Sequence, residues 1–484
     1  MIPVSILYLV ALLEWFSTLA VEVLAIRLAT PIVGSSIILT SVFLGVVLLA
    51  LSSGYRIGWT LAASMKPKHI VLYTAVSLWF SSARYLFLTF PNQTRLLEYM
   101  LSITDNYILT LFIVAFLLFF LPVLIASQTI PLLTELLPST SKGKAAGSML
   151  FASTIGSFLG SVLPSVVLFE TIGVQYTGII VWAVGLIACG CILRFVSKKA
   201  AAVLRFAAIV WACGVAWYHS SAHDAGVIYS FDSAYQEIVV REGSIAERPV
   251  RIFLTNGAFS SGISTETKTS PFEYIKEAIT VTNVLQPKRI LVIGTAGFTY
   301  PHEVAALPFV EQIDAVDIDP RVKTIAETYF LQEPLADSIT FIPQSARFFV
   351  NQAIQEQIQY DLIFVDAYNG KSVPDELTTK EFFAGLQTLA PNGIVLFNII
   401  HDASATSTYA KNMYTTLDSV FGAMYSKNVS QNSTITMDNF IATPYAFDST
   451  YLRRPANGHL YTDNKRTTEI DSVAMRQKHS IPSQ

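Results

Sequence analysis

Arg289–Pro320 reads RILVIGTAGFTYPHEVAALPFVEQIDAVDIDP, and this stretch decides the fold of the polar half of the chain. An apolar run, Ile290–Ile293, ends in a glycine-containing turn at Gly294. A helical segment follows, and a second apolar run closes on Asp317 and Asp319. Strand, glycine turn, helix, then strand with a terminal acid is an order in which α/β proteins hold nucleosides. The turn lets backbone approach the ligand, and the acid accepts hydrogen bonds from ribose hydroxyls. Downstream the alternation continues through strands at 339–342, 362–366 and 394–399, with helices at about 301–307, 321–330, 346–356, 378–389 and 405–421. Segments 423–429 and 434–442 read as a closing antiparallel pair. Such alternation implies a parallel sheet covered by helices on both faces, with ligands at the carboxyl ends of the strands. Gly294, Asp317, Gln344-Ser345 and Asp366 all fall there. Thr299 is placed to cap the following helix, with Pro301 tolerated in its first turn.

Upstream, Tyr235–Val240 and Val250–Leu254 alternate like a small β region spanning 228–265, with Asn256-Gly257 as a turn signal. The nucleoside-type sheet then occupies 288–445, and a tail runs over 446–484. Before this polar domain (221–484) lies a different kind of sequence. Residues 1–220 contain about seven apolar stretches near bilayer length, at 4–29, 33–53, 69–90, 107–130, 148–169, 173–196 and 202–219. The whole chain of 484 residues is 52% hydrophobic and only 14% charged, and its mean hydropathy is +0.48, which points to a lipid bilayer as a partner. The expected architecture is therefore a multi-span α-helical membrane domain followed by a Rossmann-like α/β domain with a small β region at its start. A cell-membrane, multi-pass location follows.

Several classes are excluded or disfavoured. The net charge of −3 leaves no basic surface for nucleic acid. Cys189, Cys191 and Cys213 all lie in apolar segments, so their spacing supports neither a disulfide framework nor a zinc site. No metal is expected. The start of the chain has no basic region before its apolar run, which argues against a cleaved signal peptide. Lys66 and Lys68, Lys142 and Lys144, and Lys198 and Lys199 follow the second, fourth and sixth stretches. By the positive-inside rule these loops are cytoplasmic, which puts the C-terminal half outside on a seven-span count. An adenosyl ligand demands the opposite side, so the two arguments conflict.

Within the apolar half, Glu14, Glu22 and Arg27 in the first stretch and Arg84 in the third are intramembrane charges, which are expensive and mark function by default. Glu14 and Glu22 share one quadrant of a helix. Two readings stand, a structural ion pair (or snorkelling by Arg27) and contact with a substrate. Gly156 and Gly160, with Ser157 and Ser161, set small residues four apart, which favours close helix packing over a ligand role.

Gly294-x-x-Gly297 alone is a weak signal, since such glycines often only shape turns. Asp317 gains weight from its distance after Gly294, against a solvated-loop reading. Asp366 ends the run Leu362–Val365 and opens Ala367-Tyr368-Asn369-Gly370. It is placed either to orient or deprotonate an amine, or to cap a turn.

At these residues, over about 228–445, the chain resembles the spermidine synthase family, the aminopropyltransferases built on the methyltransferase fold. It looks like the membrane-fused bacterial form. The resemblance is carried by Ser233-Ala234-Tyr235-Gln236 (S-x-Y-Q), the turn from Gly294, Val316–Pro320 (V-E-x-D-P), and Tyr360–Asp366, the strand with the family's catalytic acid. It implies Asp366 as the catalytic residue. Gln236, Gly294, Gly297, Asp317 and Ser345 would contact the donor, and Tyr235, Tyr274 and Asn369 the acceptor. The donor would be decarboxylated S-adenosylmethionine or S-adenosylmethionine, the acceptor a small amine, and a homodimer is a compatible assembly. Gly297, Ser345 and Asn369 stand where the family has acids, and the family's Gln after its L-D-G turn is missing from Thr255–Ser260. Each lost charge-assisted hydrogen bond is worth about 1.5–3 kcal/mol. Polyamine binding is therefore expected to be weak unless Asp375 or Glu376 substitutes. Three readings result: an aminopropyltransferase, a methyltransferase-like enzyme on a less charged acceptor, and a transporter or sensor whose soluble domain binds without chemistry.

Overall fold

The structure, a computed structural model, describes residues 2–33, 37–89, 99–100, 107–138, 142–221, 226–370, 372–430 and 437–479. Its contacts separate two compact units. The first comprises Met1–Ile32, Ile37–Asp224 and Asp232–Ala234, and the second comprises Val33–Ser36, Ala225–Phe231 and Tyr235–Gln484.

The first unit is helical. Among the described residues, four helices are long and apolar enough to cross a membrane: Val4–Thr30, Ile38–Ser64, Ile108–Glu135 and Gly143–Leu193. The sequence reading counted seven stretches, and the difference has two sources. The fifth and sixth stretches form one continuous run, broken only by the non-helical backbone of Gly173. The third and seventh form helices Pro67–Thr89 and Lys198–Ser221, which fall outside this set. The latter carries Lys198, Lys199 and Arg205. A Cβ on Gly156 or Gly160 would overlap the carbonyl oxygens of Leu12 or Phe16, so these glycines bring helix Lys142–Leu163 against helix Val4–Val33. That is the packing role expected of them. Glu14 and Glu22 are buried. Arg27 is buried too and donates to the Asp232 carboxylate at 2.8 Å and to the Ser233 carbonyl at 3.1 Å. The side chain of Arg84 and that of Lys142 lie outside the described residues. All three cysteines are free.

The second unit begins with an antiparallel sheet of β1 (Val227–Asp232), β2 (Glu237–Ile245), β3 (Arg248–Thr255) and β4 (Ala258–Ser264), in that order. Asn256 and Gly257 join β3 to β4 with φ of 50° and 72°, the left-handed pair that a two-residue hairpin turn needs. Helix Glu273–Leu285 follows, an element the sequence reading missed. Its Ile275, Ala278, Val281 and Thr282 form the buried stripe.

The main sheet comprises β5 (Arg289–Ile293), β6 (Gln312–Asp317), β7 (Ile339–Pro343), β8 (Leu362–Val365), β9 (Ile394–Asp402), β10 (Tyr425–Asn428), β11 (Met437–Thr443) and β12 (Leu452–Arg453). Its order is β12-β10-β11-β9-β8-β5-β6-β7. β7, β6, β5, β8 and β9 are mutually parallel, and β11, β10 and β12 close the edge in antiparallel pairing. The central strands are apolar on both faces because helices cover both. Leu291, Ile293, Ile363 and Val365 enter one core, with helices Ala346–Gln355, Lys380–Leu389 and Thr408–Phe421. Ile290, Val292, Leu362 and Phe364 enter the other, with helix Glu273–Leu285 and strands of the small sheet. At about 1.5–3 kcal/mol per buried large aliphatic or aromatic side chain, these rows fix the register of β5 and β8. A one-residue slip would exchange the two cores. Helix Thr468–His479 lies in the tail, where the sequence reading assigned no element.

Candidate functional site

The strand order reverses between β5 and β8, and it is there that α/β sheets open a crevice at their carboxyl ends. Gly294 leaves β5 at that point with φ +85°. A Cβ on it would overlap the Asp366 carbonyl oxygen, the first residue beyond β8. The glycine is thus required by the approach of two backbones as well as by its own φ. Asp317, at the end of β6, braces the turn. One of its oxygens accepts from the Thr295 amide at 3.0 Å, the Thr295 hydroxyl at 3.2 Å and the Ala296 amide at 3.4 Å, while the other accepts from the Asp319 amide at 3.1 Å. Burial raises the carboxyl above the usual range, and the Thr295 and Asp319 hydrogen bonds oppose that shift. A carboxylate offers about four acceptor positions, so the oxygen with a single recorded bond retains capacity toward a ligand.

Gly297, three residues on, donates its amide to the Ser261 hydroxyl at 3.1 Å. A Cβ there would lie 2.6 Å from a Phe330 ring carbon and 2.9 Å from Ser261 Cβ. Phe330 is fully buried, so a carboxylate in place of this glycine would displace core. The local packing accounts for the missing acid.

Across the crevice, Asp366 takes the Ile293 carbonyl with its amide at 2.8 Å. Its carboxylate accepts from Asn398 Nδ2 at 2.8 Å. Burial pushes its pKa up to about 7, against the lowering effect of hydrogen bonds from Asn398 and Tyr274. Tyr274 sits in the first turn of helix Glu273–Leu285, donates to the Ser260 carbonyl at 3.2 Å and packs its ring on Phe272. Burial and the neighbouring Asp366 raise its hydroxyl well above the ordinary tyrosine value. Behind them, the Tyr368 hydroxyl donates to the Asn398 carbonyl at 3.1 Å and accepts from the Ile400 amide at 2.9 Å. A carboxyl whose pKa lies near neutrality, at the mouth of a crevice, is suited to take a proton from an amine.

The remaining residues divide. Asn369 is held to the β3–β4 hairpin, its side-chain oxygen accepting from Asn256 Nδ2 at 2.6 Å. Ser345 opens helix Ala346–Gln355 beside the edge strand β7, and its hydroxyl makes no capping bond. Gln236 is buried and Tyr235 exposed, both just ahead of β2. Thr299 is not a side-chain cap. Phe298, at φ 61°, occupies the cap position, and the Thr299 hydroxyl reaches the Gly262 carbonyl. One Asp375 oxygen receives the Glu469 amide at 2.8 Å at the start of helix Thr468–His479. Among the described residues no cluster of His, Cys, Asp and Glu is arranged for a metal. Asn398 is the site residue that sequence reasoning missed. The available signal was a lone amide inside the apolar run Ile394–Ile400.

Fold and site together define a Rossmann-like transferase-type domain with an acid at the switch point. Residues 273–434 match the spermine/spermidine synthase domain family. The chain is 30% identical over 217 residues to the polyamine aminopropyltransferase of Vibrio vulnificus, covering 43% of this chain and 69% of that protein. It is 26% identical over 174 residues to putrescine N-methyltransferase 2 of Nicotiana tabacum, covering 35% of this chain and 47% of that one. A probable spermidine synthase structure from Corynebacterium glutamicum aligns at 17% identity and a TM-score of 0.40, covering 50% of this chain and 97% of that one. The chain belongs to the spermine/spermidine synthase family.

Proposed function

We propose that the second unit transfers an alkyl group, in the first instance aminopropyl, from an adenosyl sulfonium donor to an amine, and that the apolar helices anchor it in a membrane. The observation that carries this reading is Asp366, enclosed at the switch point with its pKa near 7 and held by Asn398 beside Tyr274. In the step envisaged, the protonated amine gives a proton to Asp366. The freed nitrogen lone pair then forms the new N–C bond while the C–S bond breaks. Its electron pair remains on sulfur, which leaves as a neutral thioether, and the positive charge passes from sulfur to nitrogen. Catalysis is mainly positioning plus this proton transfer. The turn from Gly294 and the free capacity of Asp317 would receive the nucleoside.

Incubating the full-length protein with decarboxylated S-adenosylmethionine and amines, and detecting products by mass spectrometry, tests the reading. Absence of both donor binding and product would refute it. A second reading, methyl transfer from S-adenosylmethionine, is favoured by one observation: the packing of Phe330 around Gly297 leaves no room for an acid there, and an acid at that place would repel the carboxylate that S-adenosylmethionine carries and its decarboxylated form lacks. The same assay with that donor separates the two. A reporter fused after Gln484 is expected to lie in the cytoplasm, where adenosyl donors are made, and an extracytoplasmic signal would favour a binding or sensing role.

A further inference from the structure

β8 stops at Val365, while β9 continues to Asp402. The two are parallel, with Val365 opposite Phe397, so β9 from Asn398 onward has no β8 strand beside it. Asn398 and Ile399 are buried, and buried backbone groups need partners. In a parallel ladder, one residue donates its amide to a carbonyl on the neighbouring strand and accepts from the amide two residues further on. Continued in register, β8 would give Ala367 that role toward the Asn398 carbonyl and the Ile400 amide. A single side-chain atom takes it instead. The Tyr368 hydroxyl donates to the Asn398 carbonyl at 3.1 Å and accepts from the Ile400 amide at 2.9 Å. The chain can therefore leave the sheet at Asp366 without orphaning these groups of β9. The residue whose backbone is fixed in this way also carries the amide that donates to the Asp366 carboxylate at 2.8 Å.

We infer that Tyr368 is a positioning residue for Asp366: its hydroxyl stands in for the next rung of the β8–β9 ladder and so holds Asn398 where its side chain meets the acid. This deepens the transfer reading above and rests on it. Without the hydroxyl, the Asn398–Ile400 backbone loses its anchor and the Asn398 side-chain bond loosens. That bond favours the charged carboxylate, so Asp366 then holds its proton more tightly. At a given pH, a smaller share of the acid is able to take a proton from an amine. The ionisable groups around Asp366 are Tyr274, from helix Glu273–Leu285, and Tyr368 itself. Tyr409 of helix Thr408–Phe421 and Arg476 of helix Thr468–His479 lie behind Tyr368. Burial raises all three tyrosine hydroxyls and lowers Arg476 only to about 10. Of these groups, Asp366 alone changes charge between about pH 5 and 9.

The test is an infrared titration of the full-length protein in detergent, following the C=O stretch of the protonated carboxyl that Asp366→Asn removes. Its midpoint should lie at about 7. The midpoint should rise by about 0.5–1 pH unit in Tyr368→Phe, which loses the hydroxyl alone, and by about 1–2 pH units in Asn398→Ala, which loses the final bond. Adding Tyr368→Phe to Asn398→Ala should move it little further, because the two act through one path. Where turnover is seen, the acid limb of kcat/KM should move with the infrared midpoint. An unchanged midpoint in folded Tyr368→Phe protein would overturn the inference and leave the hydroxyl a structural role alone. So would full additivity in the double variant, or an unchanged midpoint in Asn398→Ala, whether or not Tyr368→Phe folds. Shifted midpoints in a protein without turnover would support the positioning role and sink the transfer chemistry, so the two failures are distinguishable.

Discussion

The turn after β5 and the loop after β8 face each other at the switch point and use their polar groups in opposite ways. On the β5 side nearly every group serves the fold: Asp317 braces the Thr295 and Ala296 amides, and the Gly297 amide is tied to Ser261. On the β8 side the Asn398 amide oxygen has no partner among the described residues, and Asp366 holds a proton at a pH where ordinary carboxyls have lost theirs. The first side is largely occupied by bonds within the fold. The second keeps a buried acceptor without a partner among the described residues, next to an acid with a raised pKa.

The sharpest way to break this contrast is Asp366→Asn. Loss of a general base costs about 10²–10⁴ in rate, so turnover is expected to fall about a thousandfold with the melting temperature unchanged or raised. Retained activity would remove Asp366 from the reaction. Gly294→Ala attacks the structural side. With φ at +85° and the Asp366 carbonyl in the way of a Cβ, destabilisation of about 3 kcal/mol is expected in chemical unfolding of the polar unit. A change below about 0.5 kcal/mol would show that the turn has slack. Asp317→Ala removes the brace and a ribose acceptor together. Binding of adenosyl ligands should weaken by about 1.5–3 kcal/mol, and unchanged affinity in the folded variant would leave Asp317 with a structural role alone.

The pH response is a separate test. Asp366 stands at about 7 in the fold against an ordinary 3.8. The native state therefore binds its proton more tightly, and this group's contribution to stability is complete below about pH 4 and lost as pH rises through about 7. Activity runs the other way. kcat/KM should fall about tenfold per pH unit below 7, because the protonated acid cannot accept from the amine. A flat profile between pH 5 and 7 would contradict the assignment.

Much of this was legible in the sequence, for physical reasons. The β5 and β8 runs are apolar on both faces, and Gly294 and Asp366 mark their ends, so strand order and the position of the acid follow from local pattern. What escaped depended on distant partners. One oxygen of Asp375 is engaged by the start of a helix 94 residues away, a partner that no local pattern shows. Gly297 looked like a lost acid, and only the packing of Phe330 shows why none fits. Thr299 had the right chemistry for a cap, but the left-handed Phe298 had already taken the position. Helix Glu273–Leu285, which carries Tyr274, was passed over because its β-branched residues blur the helical signal.

The contact of Gly156 and Gly160 with the Leu12 and Phe16 carbonyls has a consequence for biogenesis. The chain segments that meet are 144 residues apart, from Leu12 to Gly156 and again from Phe16 to Gly160. At about 5–20 residues per second of synthesis, helix Val4–Val33, were it to enter a bilayer as it is made, would wait about 7–29 seconds for this neighbour. During that interval it would hold Glu14 and Glu22 in lipid at about 2.5–3.5 kcal/mol for each charged group near the centre. Early retention of the nascent chain would then depend on whatever shelters those two residues until the glycine-bearing helix arrives.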